Sequence, residues 1–577
     1  MSSLIAVCAR DAGPRDWAAD LRRCAAALAP DNIRPNPPLI DAVGSVAVAV
    51  ANPVPGVAVR EGGVCLGRIF GQPGEWWRIG SEAPEGNYVI VRHDARRLEV
   101  LTDVLATRPT WYVHTPEVLL ASTSQRALAM LLRSFELDPQ AVTWMLTSGH
   151  LGAGSWDVRL RRLPGDCRLV LDRERWSVQI HERPAVRDPL KLSDTEHIER
   201  LQQAIIDTCA DMHLPRDEWL LPLSGGIDSR VLLLGLLLAG ERPRCVTWGL
   251  RSALLDAKND AFIARELAHR YGLEHRYWPT DATPDSIETA MRRFLVASEG
   301  QVCDFGAYTD GMAMWKAFFE DGVAGVIRGD EPGLGYYDRF DSERQILRRA
   351  HMIFVSEYPV SHPIHRLGLA EQQVKKRLQR HPQESLASWD QRVFEEWVYP
   401  TTEAPLNAIK TPYVEIVNPL QSRGVTEVAR RLPDHLRVDR NALDTVVRSL
   451  GPDVPTAKRS ALGTTQAYGG GESGVAAMVN ALSADRAERA LTRPALDLIL
   501  AGLTQEASVR PAGRGLAGSV KAAVPRRVMD RLRPVWSLRL GGRGLAFRAY
   551  VAVQMCDLLV KDAALLGSEC EARGAAR

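Results

Sequence analysis

The chain has 577 residues, 45% of them hydrophobic and 25% charged, with 72 Lys and Arg against 70 Asp and Glu. At about 150 residues per domain this suggests three or four domain-sized pieces with ample core. A formal charge of +2 gives no reason to expect nucleic acid or an anionic membrane as a partner.

The nine cysteines (Cys8, Cys24, Cys65, Cys167, Cys209, Cys245, Cys303, Cys556 and Cys570) include no C-x-x-C pair. That argues against a disulfide framework or structural zinc and predicts a reducing, cytoplasmic setting. The opening MSSLIAVCARDAGPRDW reaches Arg10 and Asp11 after a short apolar run, unlike a signal peptide. The longest apolar run, near Val231 to Ala239, is far short of the about 20 residues of a membrane helix.

In chain order, residues 1 to about 185 predict a β-rich unit. SVAVAVANPVPGVAV, NYVIVRHD, RLEVLTD, TWYVHT and EVLLAS are β-branched or alternating runs divided by turn residues, with RHDARR as a hairpin connection. The polar stretch HERPAVRDPLKLSDTEH then leads into the helix IERLQQAIIDTCADM, and a domain boundary is expected near 188. From 190 to about 345, strands alternate with helices: EWLLPL, SRVLLLGLLLAG, RCVTWGL, NDAFIARELAHRYG, HRYWP and AGVIRGDE. Such alternation implies a parallel sheet. After Phe340 the pattern is mostly helical, interrupted by the Gly-rich TTQAYGGGESG and the loop-like ASVRPAGRGLAGS.

The chemistry concentrates at Leu221 to Arg230, LPLSGGIDSR, between an apolar strand and an apolar helix. Ligands of parallel sheets bind where strand ends lead into helix N-termini. Gly225 and Gly226 let backbone N–H groups approach an anion, and Ser224 and Ser229 add hydroxyls. Asp228 would repel phosphate unless it holds Mg²⁺, so the turn reads as a pyrophosphate site with its metal. The plain alternative is a Gly-Gly turn with a Ser or Asp helix cap. No G-x-x-x-x-G-K-[ST] loop is present.

The hexad S-G-G-I-D-S resembles the pyrophosphate loop of the ATP pyrophosphatase superfamily, whose members split ATP into AMP and pyrophosphate. DAKNDAFIARELAHRYGLEH and GDEPGLGYY resemble further segments of its asparagine synthetase branch. The resemblance makes Asp330 a second metal ligand beside Asp228, and Leu223, Ser224, Gly225, Gly226, Asp228, Ser229, Thr247, Gly249 and Gly329 the ATP-binding set. Leu223 and the 247–250 strand end would hold the adenine. VEIVNPLQSRGVTEVARRLPDHLRV also resembles a family segment, with Asn418 and Gln421 where Arg and Asp are usual; taken alone it reads as a packing helix after a turn.

The N-terminal half, through EGNYVIVRHDARRLEVLTDVLATRPTWYVH and MLTSGHLGAGSWDVRLRRLPGDCRLVL, resembles the glutaminase domain that precedes the synthetase. The expected fold is therefore α/β: a degenerate Ntn-type glutaminase-like, β-rich αββα domain over 1–188, then an adenine-nucleotide α-hydrolase-like parallel-sheet domain over 189–577 with a helical part from about 485. The glutaminase pattern is broken. Ser2 and Ser3 stand where an N-terminal cysteine is needed, and Cys8 lies inside an apolar run, where a thiol is a poor nucleophile.

Without glutamine-derived ammonia another amine is required. Chain length, the degenerate first domain and the long C-terminal part are similar to lasso peptide cyclases, which close a macrolactam between an Asp or Glu side chain and the N-terminus of a short core peptide. That likeness implies ATP and Mg²⁺ as cofactors, a core peptide as substrate, a leader peptidase and a leader-recognition protein as partners, and neither nucleic acid nor membrane. ALGTTQAY, with Lys458 just before it, resembles the lysine loop of β-lactam synthetase, making Lys458 and Arg459 candidate catalytic cations. Ile327 stands where that enzyme has a tyrosine. The alternatives are another intramolecular amide synthetase, an ammonia-dependent asparagine synthetase and an inactive ATP-binding scaffold.

Overall fold

Period-two alternation in the first 185 residues builds twelve strands: β1 Ser3–Ala9, β2 Leu39–Val43, β3 Val46–Ala51, β4 Ala58–Arg60, β5 Gly63–Ile69, β6 Gly86–His93, β7 Arg97–Thr102, β8 Trp111–His114, β9 Val118–Ser122, β10 Arg161–Arg162, β11 Cys167–Asp172 and β12 Ser177–Glu182. The computed structural model describes all residues except 1, 12, 14, 73, 281–284, 306–310, 332, 335–341, 452–453, 463–470, 509–539 and 568–577. The strands form two antiparallel sheets, ordered β10-β8-β9-β1-β3-β2 and β12-β11-β7-β6-β5-β4. Leu4, Ala6 and Cys8 of β1 face Val64, Leu66, Val89, Val91 and Val100 of the other sheet. Ile5 and Val7, alternate along the same strand, face the helices Trp17–Leu28 and Gln125–Leu132. β1 is thus buried on both faces, which explains its unbroken apolar run. In the RHDARR connection, Asp94 Oδ1 accepts from the N–H groups of Arg96 and Arg97 at 2.8 and 2.7 Å.

The third sheet is parallel throughout. Its strands are β13 Trp219–Pro222, β14 Arg244–Gly249, β15 His275–Pro279, β16 Gly325–Ile327 and β17 Glu415–Val417, ordered β15-β14-β13-β16-β17. The chain goes from β13 to one side and later returns to the other, so the ends of β13 and β16 flank a topological switch point. β17 was not anticipated. It is three residues long and buried on both faces, so no alternation separates it from the helix that follows. Beyond 340 the chain is less regular than its pattern predicts. Short 3₁₀ turns occur between 355 and 378, and Phe394–Glu403 is a π-helix with Pro400 inside it. Proline has no N–H to donate, and the ladder shifts to the wider i to i+5 spacing there.

Described parts of the C-terminal hundred residues, which carried no sequence resemblance, belong to the largest core cluster. Helix Gly542–Leu565 buries Ala546, Ala549, Val551, Ala552, Val553 and Met555 in the largest core cluster. It also crosses to the first domain: Asp562 accepts from Arg126 Nε at 2.7 Å and Nη2 at 3.0 Å. Glu299 accepts from Gln125 N–H at 2.7 Å and from the Ser124 hydroxyl, and the Trp156 indole donates to Glu299 O at 3.0 Å. The FVSEYPVSHPIHR segment lies on this core, with the Tyr358 hydroxyl donating to Thr147 O at 2.5 Å and His362 Nε2 at 3.0 Å from Leu540 O. No helix among the described residues is long and apolar enough to cross a membrane.

Both partners of the Arg126–Asp562 pair are buried, so removing one leaves a charge without compensation. Asp562→Ala is expected to lower stability by about 3–5 kcal/mol, read as a lower midpoint in chemical denaturation.

Candidate active site

β13 ends at Pro222, and Ser224, Gly225 and Gly226 turn the chain into helix Ile227–Leu238. Gly226 is the N-cap, and no side chain hydrogen-bonds to the first turn. The hydroxyls look inward: Ser224 Oγ lies 2.9 Å from Ser229 Oγ and accepts from Gly226 N–H at 3.1 Å. Asp228 does not cap the helix either. Its carboxylate is gripped by Arg440 Nη1 at 2.8 and 3.0 Å. The turn therefore differs from an ordinary Ser- or Asp-capped start, and its helix N-terminus keeps its partial positive charge for a ligand.

Close approach explains two of the glycines. A Cβ on Gly225 would sit 2.6 Å from Ala457 Cβ and 3.1 Å from Ile263 Cβ. Gly249, at φ +154, would place a Cβ 2.3 Å from Ala461 O. The 457–461 segment is stitched along the turn. Ala457 N–H donates to Gly225 O at 2.9 Å, Leu250 N–H to Ala461 O at 2.8 Å, and Asp260 N–H to Arg459 O at 2.9 Å.

Across the switch point, β16 delivers Arg328, Gly329 and Asp330. Asp330 accepts from Arg328 Nη2 at 2.6 Å, Asn418 Nδ2 at 2.8 Å and Asn407 Nδ2 at 3.1 Å, while its own N–H donates to Asn418 Oδ1 at 3.1 Å. Asn418 and Gln421, which depart from the family pattern, brace this acidic loop: Asn418 donates to Gln421 Oε1 at 2.8 Å, and Gln421 donates to Glu331 O at 3.3 Å.

The two aspartates sense one another. Burial pushes Asp228 up to about 6, Arg440 opposes the shift, and the Asp330 charge adds to it. Burial acts on Asp330 in the same sense, but Arg328, Lys410 and the Asn407 amide hold it below the usual carboxylate range. Two more acids flank the pair: burial lifts Glu331 to about 7, and burial with the Asp330 charge lifts Glu403 to about 7.

These elements border a cleft of about 260 Å³, and its lining includes Leu223, Ser224, Asp228, Ser229, Thr247, Gly329 and Asp330 from the predicted set. Trp248, Asp260, Arg328 and residues 460–462 complete it. Thr247 Oγ1 donates to Leu223 O at 2.6 Å, tying the ends of β13 and β14. Gly225, Gly226 and Gly249 are not among the residues lining the cleft. Lys458 and Arg459 are not brought to the cleft: Lys458 is exposed, and Arg459 is paired at the surface with Asp256 at 2.8 Å. The Gly-Thr-Thr after them lies outside the described residues, as do the Tyr-Tyr of GDEPGLGYY, the ASVRPAGRGLAGS loop beyond 508, and Cys570.

Sequence reasoning missed Arg440, Arg328 and Asn407. Arg328 was legible in principle, two residues before the acid it serves. Arg440 gave no local signal, because it meets Asp228 across 212 residues of chain. Among the described residues no group of three or more His, Cys, Asp or Glu forms a metal cage. Two hard carboxylates that raise each other's cost of ionisation suit a Mg²⁺ that takes its other ligands from water and phosphate, so the donor set fits that ion.

No family model and no curated protein matches the chain. Solved structures resemble it in part. The allosteric regulatory enzyme of purine biosynthesis is 8% identical, with a TM-score of 0.20 over 49% of this chain and 82% of that one. NMN synthetase from Francisella tularensis is 16% identical, with a TM-score of 0.18 over 39% and 94%. Glutamine phosphoribosylpyrophosphate amidotransferase from B. subtilis, complexed with ADP and GMP, is 9% identical, with a TM-score of 0.19 over 48% and 65%. Similarity at this level carries no argument about activity, which has to come from the site.

The two loop glycines should separate by substitution. Gly225→Ala is expected to cost about 1–3 kcal/mol by overpacking against Ala457 and Ile263. In Gly226→Ala the new methyl meets only Ser224 Oγ, at 3.2 Å, and the loss should be clearly smaller. Thermal unfolding of both variants reads the difference.

Proposed function

We propose that the chain is an ATP-dependent amide-forming ligase that releases AMP and pyrophosphate. The observation that carries this reading is the uncapped helix N-terminus at the Ser224–Ser229 turn, facing Asp330 from the neighbouring strand. In this reading the Ser224 and Ser229 hydroxyls, with the backbone N–H groups at the helix start, bind the pyrophosphate portion of ATP. Leu223, Thr247 and Trp248 form the wall for the adenine. Asp228 and Asp330 hold Mg²⁺, which when bound neutralises phosphate charge.

The reaction balances without an added base or oxidant. A substrate carboxylate oxygen attacks the α-phosphorus and pyrophosphate departs. An amine nitrogen then attacks the acyl carbon, AMP leaves with the original carboxylate oxygen, and the proton lost from the amine passes to solvent water. Arg328 is the cation at the cleft wall. For Lys458 or Arg459 to act on the developing charge, the 457–462 segment has to turn inward.

The amine is assigned to the substrate itself. Ser2, where a glutaminase would carry its nucleophile, is 2% exposed, and its N–H donates to Thr411 O at 3.3 Å. Cys8 is fully buried, and burial pushes its thiol up. We therefore favour macrolactam closure of a leaderless core peptide, the N-terminal amine meeting an activated Asp or Glu side chain as in lasso peptide cyclases. Holding amine and acyl carbon together contributes as much as ~7–11 kcal/mol to such a closure. A leader peptidase and a leader-recognition protein are the partners that fit this reading, in the cytoplasm.

The test is pyrophosphate release from Mg·ATP with core peptides carrying Asp or Glu seven to nine residues in, with product masses recorded. Peptide-dependent pyrophosphate and loss of one water are expected, falling about 10²-fold or more in Asp228→Ala. Turnover with aspartate and ammonia would instead identify an asparagine synthetase, and turnover with a small amino acid another intramolecular amide synthetase. Silence with all three substrate classes would leave an ATP-binding scaffold and end the ligase reading.

A further inference from the structure

A second large cavity lies away from the sheet end, at the joint between the domains. Loops near 104–106, 162–166 and 182–187 meet the 375–400 segment there, around a space of about 360 Å³. Seven Lys and Arg line it against four Asp and Glu. The acids are already committed. Glu395 is spanned by Arg187 at 2.6 Å and Arg430 at 2.9 Å. Arg377 takes Glu182 at 2.9 Å and Glu396 at 3.3 Å, and Asp166 belongs to Arg423 at 2.6 Å.

Arg162 and Lys375 are left without an ion pair among the described residues, with Arg183 exposed at the rim. Arg162 is the telling one. Its Nε and Nη2 are buried and have no hydrogen-bond partner among the described residues. The Trp111 ring, 5.5 Å from the guanidinium, supports it without countering its charge. Burial pushes Arg162 down to about 9, so it is still charged at neutral pH. A half-buried guanidinium with two nitrogens out of water and no ion-pair partner is costly, and in a concave, partly desolvated site its field reaches the cavity little screened.

We propose that this interdomain cavity is a binding site for a compact polyvalent anion of the phosphate or pyrophosphate class, with Arg162 and Lys375 as its principal counter-charges. The planar guanidinium suits a tetrahedral oxyanion bidentately, and the ammonium adds a point charge. The volume is that of a small-molecule site, and Leu105, Leu163 and Pro164 narrow it toward a compact ligand rather than an extended acidic chain. The inference does not depend on the reaction proposed above, since the site lies apart from the Asp228–Asp330 cleft.

Calorimetric titration of the full chain with inorganic pyrophosphate tests it, in metal-free buffer at two salt concentrations. The expected result is saturable binding that weakens with salt, falls at least tenfold in Arg162→Gln/Lys375→Gln and persists in Ser224→Ala/Ser229→Ala. Lys375→Glu, a change at an exposed position, should weaken binding without altering the fold by circular dichroism. Binding unaffected by these cavity substitutions, or lost only in Ser224→Ala/Ser229→Ala, would assign the anion to the sheet-end cleft and overturn the proposal. A short poly-glutamate peptide bound more tightly than pyrophosphate, and lost in the same double variant, would also overturn it in favour of an acidic segment. None of these readouts requires turnover, so a failed ligase assay leaves the result interpretable.

Discussion

Two carboxylates converge at the end of one parallel sheet, and the surroundings of Asp228 and Asp330 are organised around keeping them there. Like charges brought together out of bulk water raise each other's cost of ionisation. Arg440 grips one and Arg328 the other, with Asn407 and Asn418 donating two further hydrogen bonds to Asp330. Each brace comes from a different stretch of chain, so the acidic pair can form only when the sheet, the 404–408 helix and the segment after β17 are all in place. That dependence ties the chemistry of the cleft to the tertiary structure as a whole.

The interface between the halves of the molecule is built in the same way. Arg–carboxylate contacts join them, buried at Arg126–Asp562 and Arg108–Glu415 and half-buried at Arg423–Asp166. Such pairs add little net stability over well-packed apolar residues but are unforgiving of the loss of one partner, so they specify register between surfaces. The first domain meets the second through these contacts, and its second residue and first cysteine are both buried. Helix Gly542–Leu565 completes the joint, with small residues that let it approach the main core closely and an aspartate that reaches across to Arg126.

The pyrophosphate-loop reading depended on residues adjacent in sequence, and those residues do meet: Ser224, Asp228 and Ser229 lie within one turn, and the strand before them and helix after them are formed by their own apolar patterns. Asp330 joined them through strand alternation, which places successive strand ends on one side of a parallel sheet. Legibility stops where partners are remote. Nothing around Arg440 marks it as the counter-ion of Asp228, because a residue at positive φ between two short helices has no periodic signature. Nor could spacing reveal that Lys458 and Arg459 face away from the cleft while the backbone beside them closes it.

Local pattern and turn chemistry, acting over a few residues, were enough to specify the two-part α/β architecture, the parallel sheet and the strand-to-helix turn at Ser224–Ser229. These follow from periods of two and 3.6, from glycine's freedom at a close approach, and from where helix N-termini fall at a sheet edge. The tertiary structure alone decided which cations balance the acids, that the last helix is core rather than appendage, and that two guanidinium nitrogens of Arg162 lie buried without a hydrogen-bond partner among the described residues at the domain joint. Burial and electrostatic pairing are properties of surfaces meeting across hundreds of residues, and no short window of sequence contains both sides.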